Sequence, residues 1–120
     1  MACPDRPGIA LQADGSGLYT LQALWTMARE QLDVTTVLFN NGSYAILNIE
    51  LARVGLADVG DTARSLLDLT QPAIDWTALS TSLGVMATQV TTIAEYRTAL
   101  KNALAQRGPR LIEVMVAPRA

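Results

Sequence analysis

The chain has 120 residues, half of them hydrophobic and only 17% charged, with a formal net charge of −2; that is enough apolar material for one buried core and too little charge for a disordered chain or a nucleic-acid footprint. Histidine is absent, which excludes Ser–His and Cys–His nucleophile pairs and imidazole zinc sites. Glu30, Glu50 and Arg53 interrupt the richest apolar stretches before any reaches the roughly 18 residues of a membrane span. The start Met1-Ala2-Cys3-Pro4-Asp5 lacks the basic and apolar regions of a secretory signal, and the single Cys3 cannot form an internal disulfide, which fits a reducing cytoplasm.

Ile9 to Ala13 is a short, mostly apolar run that stops at Asp14-Gly15-Ser16-Gly17, a strand entering a turn. From Leu18 the period changes: Leu18, Leu21, Trp25, Ala28 and Leu32 recur at steps of three and four and predict one amphipathic helix. Val34 to Phe39 is a β-branched run that closes on Asn40-Asn41-Gly42-Ser43, a second strand with its turn. A short helix is expected from Tyr44 to about Arg53, with Glu50 and Arg53 on a solvated face. Gly55 to Pro72 reads as a long loop with one helical turn near Thr62 to Leu67; loops of this length are often lids, and Asp58 and Asp61 in it read as turn residues. Asp75 is a candidate N-cap for a helix that ends before Gly84. Val85 to Val90 predicts a third strand. Thr91 or Thr92 then caps a helix with Ile93, Tyr96, Leu100 and Ala103 on one face, Gly108-Pro109 stops it, and Leu111 to Val116 is the fourth strand. Trp25 and Trp76 are both expected in the core.

Strand and helix alternate, and the strands read as buried on both faces. The pattern predicts an α/β domain, a parallel sheet flanked by helices. Ligands of such sheets bind beyond the carboxyl ends of the strands, where both Asp14-Gly15-Ser16 and Asn40-Asn41-Gly42-Ser43 fall. A carboxylate from Asp14, an amide oxygen from Asn41 and nearby carbonyls make the all-oxygen set that Mg²⁺ prefers. Gly15, Ser16 and Gly17 are small enough for backbone N–H groups to approach an anion. Together they point to a phosphorylated ligand held through Mg²⁺, although Asp-Gly and Asn-Gly are each ordinary turn dipeptides.

The stretch from Ala13-Asp14-Gly15-Ser16 to Asn40-Asn41 resembles the signature of thiamine-diphosphate-dependent enzymes, Gly-Asp-Gly-Ser followed by Asn-Asn one helix and one strand later. The likeness extends through Tyr19 to Thr26 and Asn41 to Tyr44, and looks most like the benzoylformate decarboxylase and acetolactate synthase-like branch. The resemblance implies that residues 1–120 are the C-terminal diphosphate-binding domain, in a partial thiamine-diphosphate-binding fold. It implies thiamine diphosphate and Mg²⁺ as cofactors, with Asp14, the Asn41 side chain and the Ser43 carbonyl on the metal. Gly15, Ser16 and Tyr44 would then lie against the diphosphate, and Ile46 and Leu47 near the thiazolium and substrate. At the place of Leu47, pyruvate decarboxylases carry a catalytic glutamate; the leucine implies an apolar pocket instead. Ala13 stands where the signature has its first glycine, a methyl group that tightens the turn.

The family activates its cofactor with a glutamate on a separate pyrimidine-binding domain, normally of a partner subunit. No part of these residues resembles that domain, so the chain reads as a fragment of a larger enzyme, a homo-oligomer acting on a 2-keto acid and inactive in isolation. One rival reading is a non-catalytic domain that serves only subunit association. Another is a dinucleotide-binding Rossmann domain, which is disfavoured because Thr20 replaces the third glycine and Asn40 the acidic residue at the end of the second strand. No membrane or nucleic-acid partner is expected.

Overall fold

The computed structural model describes residues 5–56 and 60–117; Cys3 and Asp58 lie outside them. Four strands, β1 (Gly8–Ala13), β2 (Val34–Asn40), β3 (Met86–Val90) and β4 (Arg110–Met115), form one sheet in the order β1-β2-β4-β3. All three pairings are parallel, as the alternation of elements predicts. Among the described residues no helix is long and apolar enough to cross a membrane.

The helices are α1 (Asp14–Gly17), α2 (Ala23–Arg29), α3 (Ala45–Arg53), α4 (Asp61–Ser65), α5 (Trp76–Ser82) and α6 (Ile93–Leu104). One face of the sheet packs α2 and α5 through Leu24, Leu38, Trp76, Val85 and Leu111. On the other face α6 brings Ala103, Tyr96 and Leu100 onto Val90 and Ile112. That second face is covered only in part: β1 alternates half-buried and exposed residues, with Ile9 and Leu11 open to solvent. The expectation of strands buried on both faces therefore fails at both edge strands, at β1 and at β3, where Met86, Thr88 and Gln89 are exposed. The place of β1 at the sheet edge, with α6 the helix packed on that face among the described residues, leaves one row of its side chains uncovered.

The single helix predicted from Leu18 to Leu32 is two pieces. Tyr19 and Thr20 donate N–H bonds back to Ser16 and Gly17, closing turns that end α1, and the helical path restarts at Ala23. The restart shifts the phase of the buried stripe to Leu24, Met27 and Ala28. Trp25 consequently points outward, half exposed, with the Arg29 guanidinium 4.9 Å from its ring centre. Trp76 is buried as expected.

Both predicted caps form. The Asp75 carboxylate accepts from the Ala78 N–H at 2.8 Å. At the start of α6 the Thr92 hydroxyl accepts from the Glu95 N–H, while the Glu95 carboxylate accepts from the N–H groups of Thr91 and Thr92, a reciprocal capping box. The Thr91 N–H first, then that of Thr92, holds the Glu95 carboxyl below the usual glutamate range. A depressed folded-state pKa means that this contribution is present above the unfolded-state value and is lost as pH falls through the folded one. In an acid titration followed by NMR, the Thr91 and Thr92 amide shifts should therefore move together at a midpoint below that of an ordinary glutamate. Glu95→Gln should remove that step.

Candidate functional site: a carboxylate and amide cluster at the strand ends

The parallel register pairs Ala13 with Phe39, so the chain leaves β1 and β2 at neighbouring points of one sheet edge. Asp14 and the Asn40-Asn41-Gly42 turn meet there. The Asp14 carboxylate accepts from the Gly42 N–H at 2.8 Å, and Asn40 Oδ1 accepts from the same N–H at 2.9 Å. Asn41 Oδ1 accepts from the Ser43 N–H at 2.9 Å, an Asx turn that fixes its side chain locally. Asp14, Asn40, Asn41 and Gly42 line a cavity of about 360 Å³ together with Thr70, Gln89 and Glu113.

Two glycines shape the cluster. Gly42 has a φ of +67°, the left-handed conformation the turn needs, and a Cβ there would stand 2.8 Å from the Thr70 methyl. Gly15 lies beneath the Tyr44 ring, where a Cβ would come within 2.6 Å of Cδ1. Ala13 is extended, with φ −109° and ψ 157°, so no glycine-only conformation is required where it stands, and its methyl group fits.

The segment from Leu67 to Thr70 is paired with the site turn. The Leu67 carbonyl accepts from the Tyr44 N–H at 2.9 Å, the Leu69 N–H donates to the Gly42 carbonyl at 2.8 Å, and Ser43 bridges Asp68 in antiparallel fashion. The far end of the long loop is thus hydrogen-bonded to the turn that carries Asn41. The helical turn expected near Thr62 to Leu67 is α4.

Electrostatically the cluster is unusual. Asp14 is 2% and Glu113 1% exposed, yet the ion pairs found among the described residues, Arg29–Glu30 and Arg53–Glu50, are on the surface. Buried carboxylates without a cation are costly. No group of three His, Cys, Asp or Glu converges among the described residues, so a cation here would be held by one or two carboxylates and neutral oxygens, the donor set of a hard ion.

Of the residues singled out from sequence, Asp14 and Asn41 line the cavity, Ser43 follows directly, and Gly15 and Tyr44 are in contact beside it. Ser16 is turned away: its hydroxyl donates to Gln12 Oε1 and to the Ala13 carbonyl. Ile46 and Leu47 are exposed on α3, a helix with no buried residue. Sequence reasoning placed Asn40 in the site turn without giving it a role, and missed Gln89, Thr70 and Glu113. A signal existed for Glu113, a lone charge inside the apolar run Leu111 to Val116. A larger groove of about 670 Å³ between β3 and α6 is lined mainly by small and neutral side chains, and its Glu95 is already engaged in the cap.

Fold and site define a class, parallel α/β domains that gather polar side chains at adjacent strand ends. Residues 1–114 match the family model described as the C-terminal thiamine pyrophosphate-binding domain of thiamine pyrophosphate enzymes. The chain belongs to this family, and thiamine diphosphate is the cofactor the family binds. It is 50% identical over 117 residues to the Mycobacterium tuberculosis protein named "Putative acetolactate synthase large subunit IlvX", covering 97% of this chain and 23% of that one. It is 34% identical over 114 residues to benzoylformate decarboxylase of Pseudomonas aeruginosa, covering 95% of this chain and 20% of that one. Among solved structures, the thiamine diphosphate-dependent 4-hydroxybenzoylformate decarboxylase of Rhodococcus jostii superposes with a TM-score of 0.87 at 36% identity, over 98% of this chain and 21% of that one. The chain spans about a fifth of the length of these relatives.

Proposed function

We propose that this chain holds Mg²⁺ and the diphosphate of thiamine diphosphate for an enzyme that decarboxylates a 2-keto acid or ligates its product, in the manner of acetolactate synthases. The observation that carries the reading is the buried Asp14 carboxylate, paired with no cationic side chain among the described residues, sharing one cavity with the Asn41 amide. Asp14 has one oxygen on the Gly42 N–H and the other available to a metal. Asn41 Oδ1 retains a second lone pair beyond its bond to Ser43, and the Ser43 carbonyl completes the protein ligands. Water and diphosphate oxygens would supply the remaining oxygen ligands of such a hard cation. Gly15, beneath the Tyr44 ring, would let backbone approach the diphosphate, and the Ser16 hydroxyl would have to leave Gln12 to contact it.

Bound thiamine diphosphate supplies a nucleophilic thiazolium carbon and an electron sink for loss of CO₂. This chain's own part is to anchor the cofactor's charged end and orient the ring. The exposed apolar side chains of α3, Ile46, Leu47 and Ile49, are suited to the remaining cofactor and substrate surface. Leu47 offers no proton, so acid–base groups belong to the pyrimidine-binding domain of the same or a partner subunit in the full-length oligomer.

Thermal unfolding of the chain should shift upward with thiamine diphosphate and Mg²⁺ together, and much less with either alone, because a ligand that binds only the folded form stabilises it. A ligand concentration 100 times the Kd corresponds to about 2.7 kcal/mol. A shift with NAD and none with Mg²⁺ and thiamine diphosphate would overturn the reading.

A further inference from the structure

Glu113 lies in the middle of β4, in register with Leu38 of β2 and Gln89 of β3. Its carboxylate accepts from Asn40 Nδ2 at 2.7 Å and from Gln89 Nε2 at 3.0 Å. A carboxylate can only accept hydrogen bonds. It therefore selects the NH₂ edge of Asn40 and forces Oδ1 of that amide toward the Gly42 N–H, the donor also used by Asp14. We infer that Glu113 is a positioning residue for the site: by orienting Asn40 it fixes Gly42 and with it the turn that brings Asn41 beside Asp14. The hydrogen-bond chain runs from β3 through β4 and β2 to Asp14 at the start of α1, so one buried acid links three strands to the residue that follows the fourth. Its consequence for cofactor binding rests on the function proposed above; its consequence for the turn does not.

Amide exchange in the metal-free chain reads the second consequence directly. Glu113→Leu should lower protection of the Gly42 amide at least about tenfold while Val37 and Ile112, in the strand centres, keep theirs. Outer-shell partners of metal ligands are worth about 10–100-fold in affinity, and Mg²⁺–thiamine diphosphate affinity should fall within that range. Glu113→Gln, which has one acceptor oxygen for two NH₂ groups, should lie between. Combining Glu113→Gln with Asn40→Asp reverses the polarity of the pair yet keeps every bond: the new aspartate accepts from Gly42 and from the glutamine NH₂, whose oxygen accepts from Gln89. That double variant should restore Gly42 protection. Unchanged protection in Glu113→Leu, or no restoration in the double variant, would overturn the inference. Should the leucine variant fail to fold, the two glutamine variants decide the matter by the same exchange measurement. A wild-type chain that protects Gly42 through Glu113 but binds no Mg²⁺–thiamine diphosphate would instead refute the proposed function alone.

Discussion

Asp14→Asn is expected to cost at least about 100-fold in Mg²⁺-dependent affinity for thiamine diphosphate, more than an outer-shell change would, while leaving the metal-free chain as stable as before or more so. The two effects have opposite signs for one reason. Asp14 is 2% exposed and has no cationic partner among the described residues, so in the absence of metal its charge is a burden on the fold. Neutral asparagine relieves that burden and can still accept from the Gly42 N–H, which Asn40 holds in any case. We expect a gain on the order of 1 kcal/mol. With the carboxylate gone, the metal keeps only neutral oxygens from the protein. Calorimetric titration and thermal unfolding of the same sample test both halves. Undiminished affinity would remove Asp14 from the metal site, and a large loss of metal-free stability would mean that the carboxylate is there for the fold.

Gly42→Ala should damage both stability and binding. An L-residue in the left-handed region costs roughly 1–2 kcal/mol, and the added methyl would meet the Thr70 Cγ2 at 2.8 Å. Relief requires the turn to move, which breaks the paired acceptance of its N–H by Asp14 and Asn40 and the Leu69 bond to its carbonyl. The expected loss is about 2–3 kcal/mol in urea unfolding, with at least a tenfold loss in cofactor affinity. Thr70→Ser removes the opposing methyl but keeps the hydroxyl that donates to Asp68 at 2.6 Å. In the Gly42→Ala background it should recover the steric part and leave the backbone part. Recovery of everything would show that φ at this position is not under strain.

Much of this site was legible before the fold. Asp14-Gly15-Ser16 and Asn40-Asn41-Gly42 follow β-branched or apolar runs, and a parallel α/β pattern puts such turns at one rim. The caps at Asp75 and Thr92 were legible for the same reason: an N-cap is a local bond between a side chain and an N–H three residues away. The phase of the helix after Asp14 was not. A turn between Leu18 and Gln22 has no strong signature, and the resulting slip turned Trp25 from a core residue into a surface one. The clamp of Leu67 and Leu69 on the site turn was equally hidden, because it joins segments separated by a long, irregular stretch.

The sequence alone determined what depends on neighbours along the chain: strand and helix alternation, the chemistry of the two turns, the caps, and the absence of any histidine-based site. Only the tertiary structure decided strand order, and with it that Asp14 and Asn41 share one cavity instead of merely one sheet edge. It also revealed that Glu113, an isolated acid in an apolar strand, meets Asn40 and Gln89. Those contacts depend on register between strands distant in sequence, which pairing and core packing set together and which no local pattern encodes.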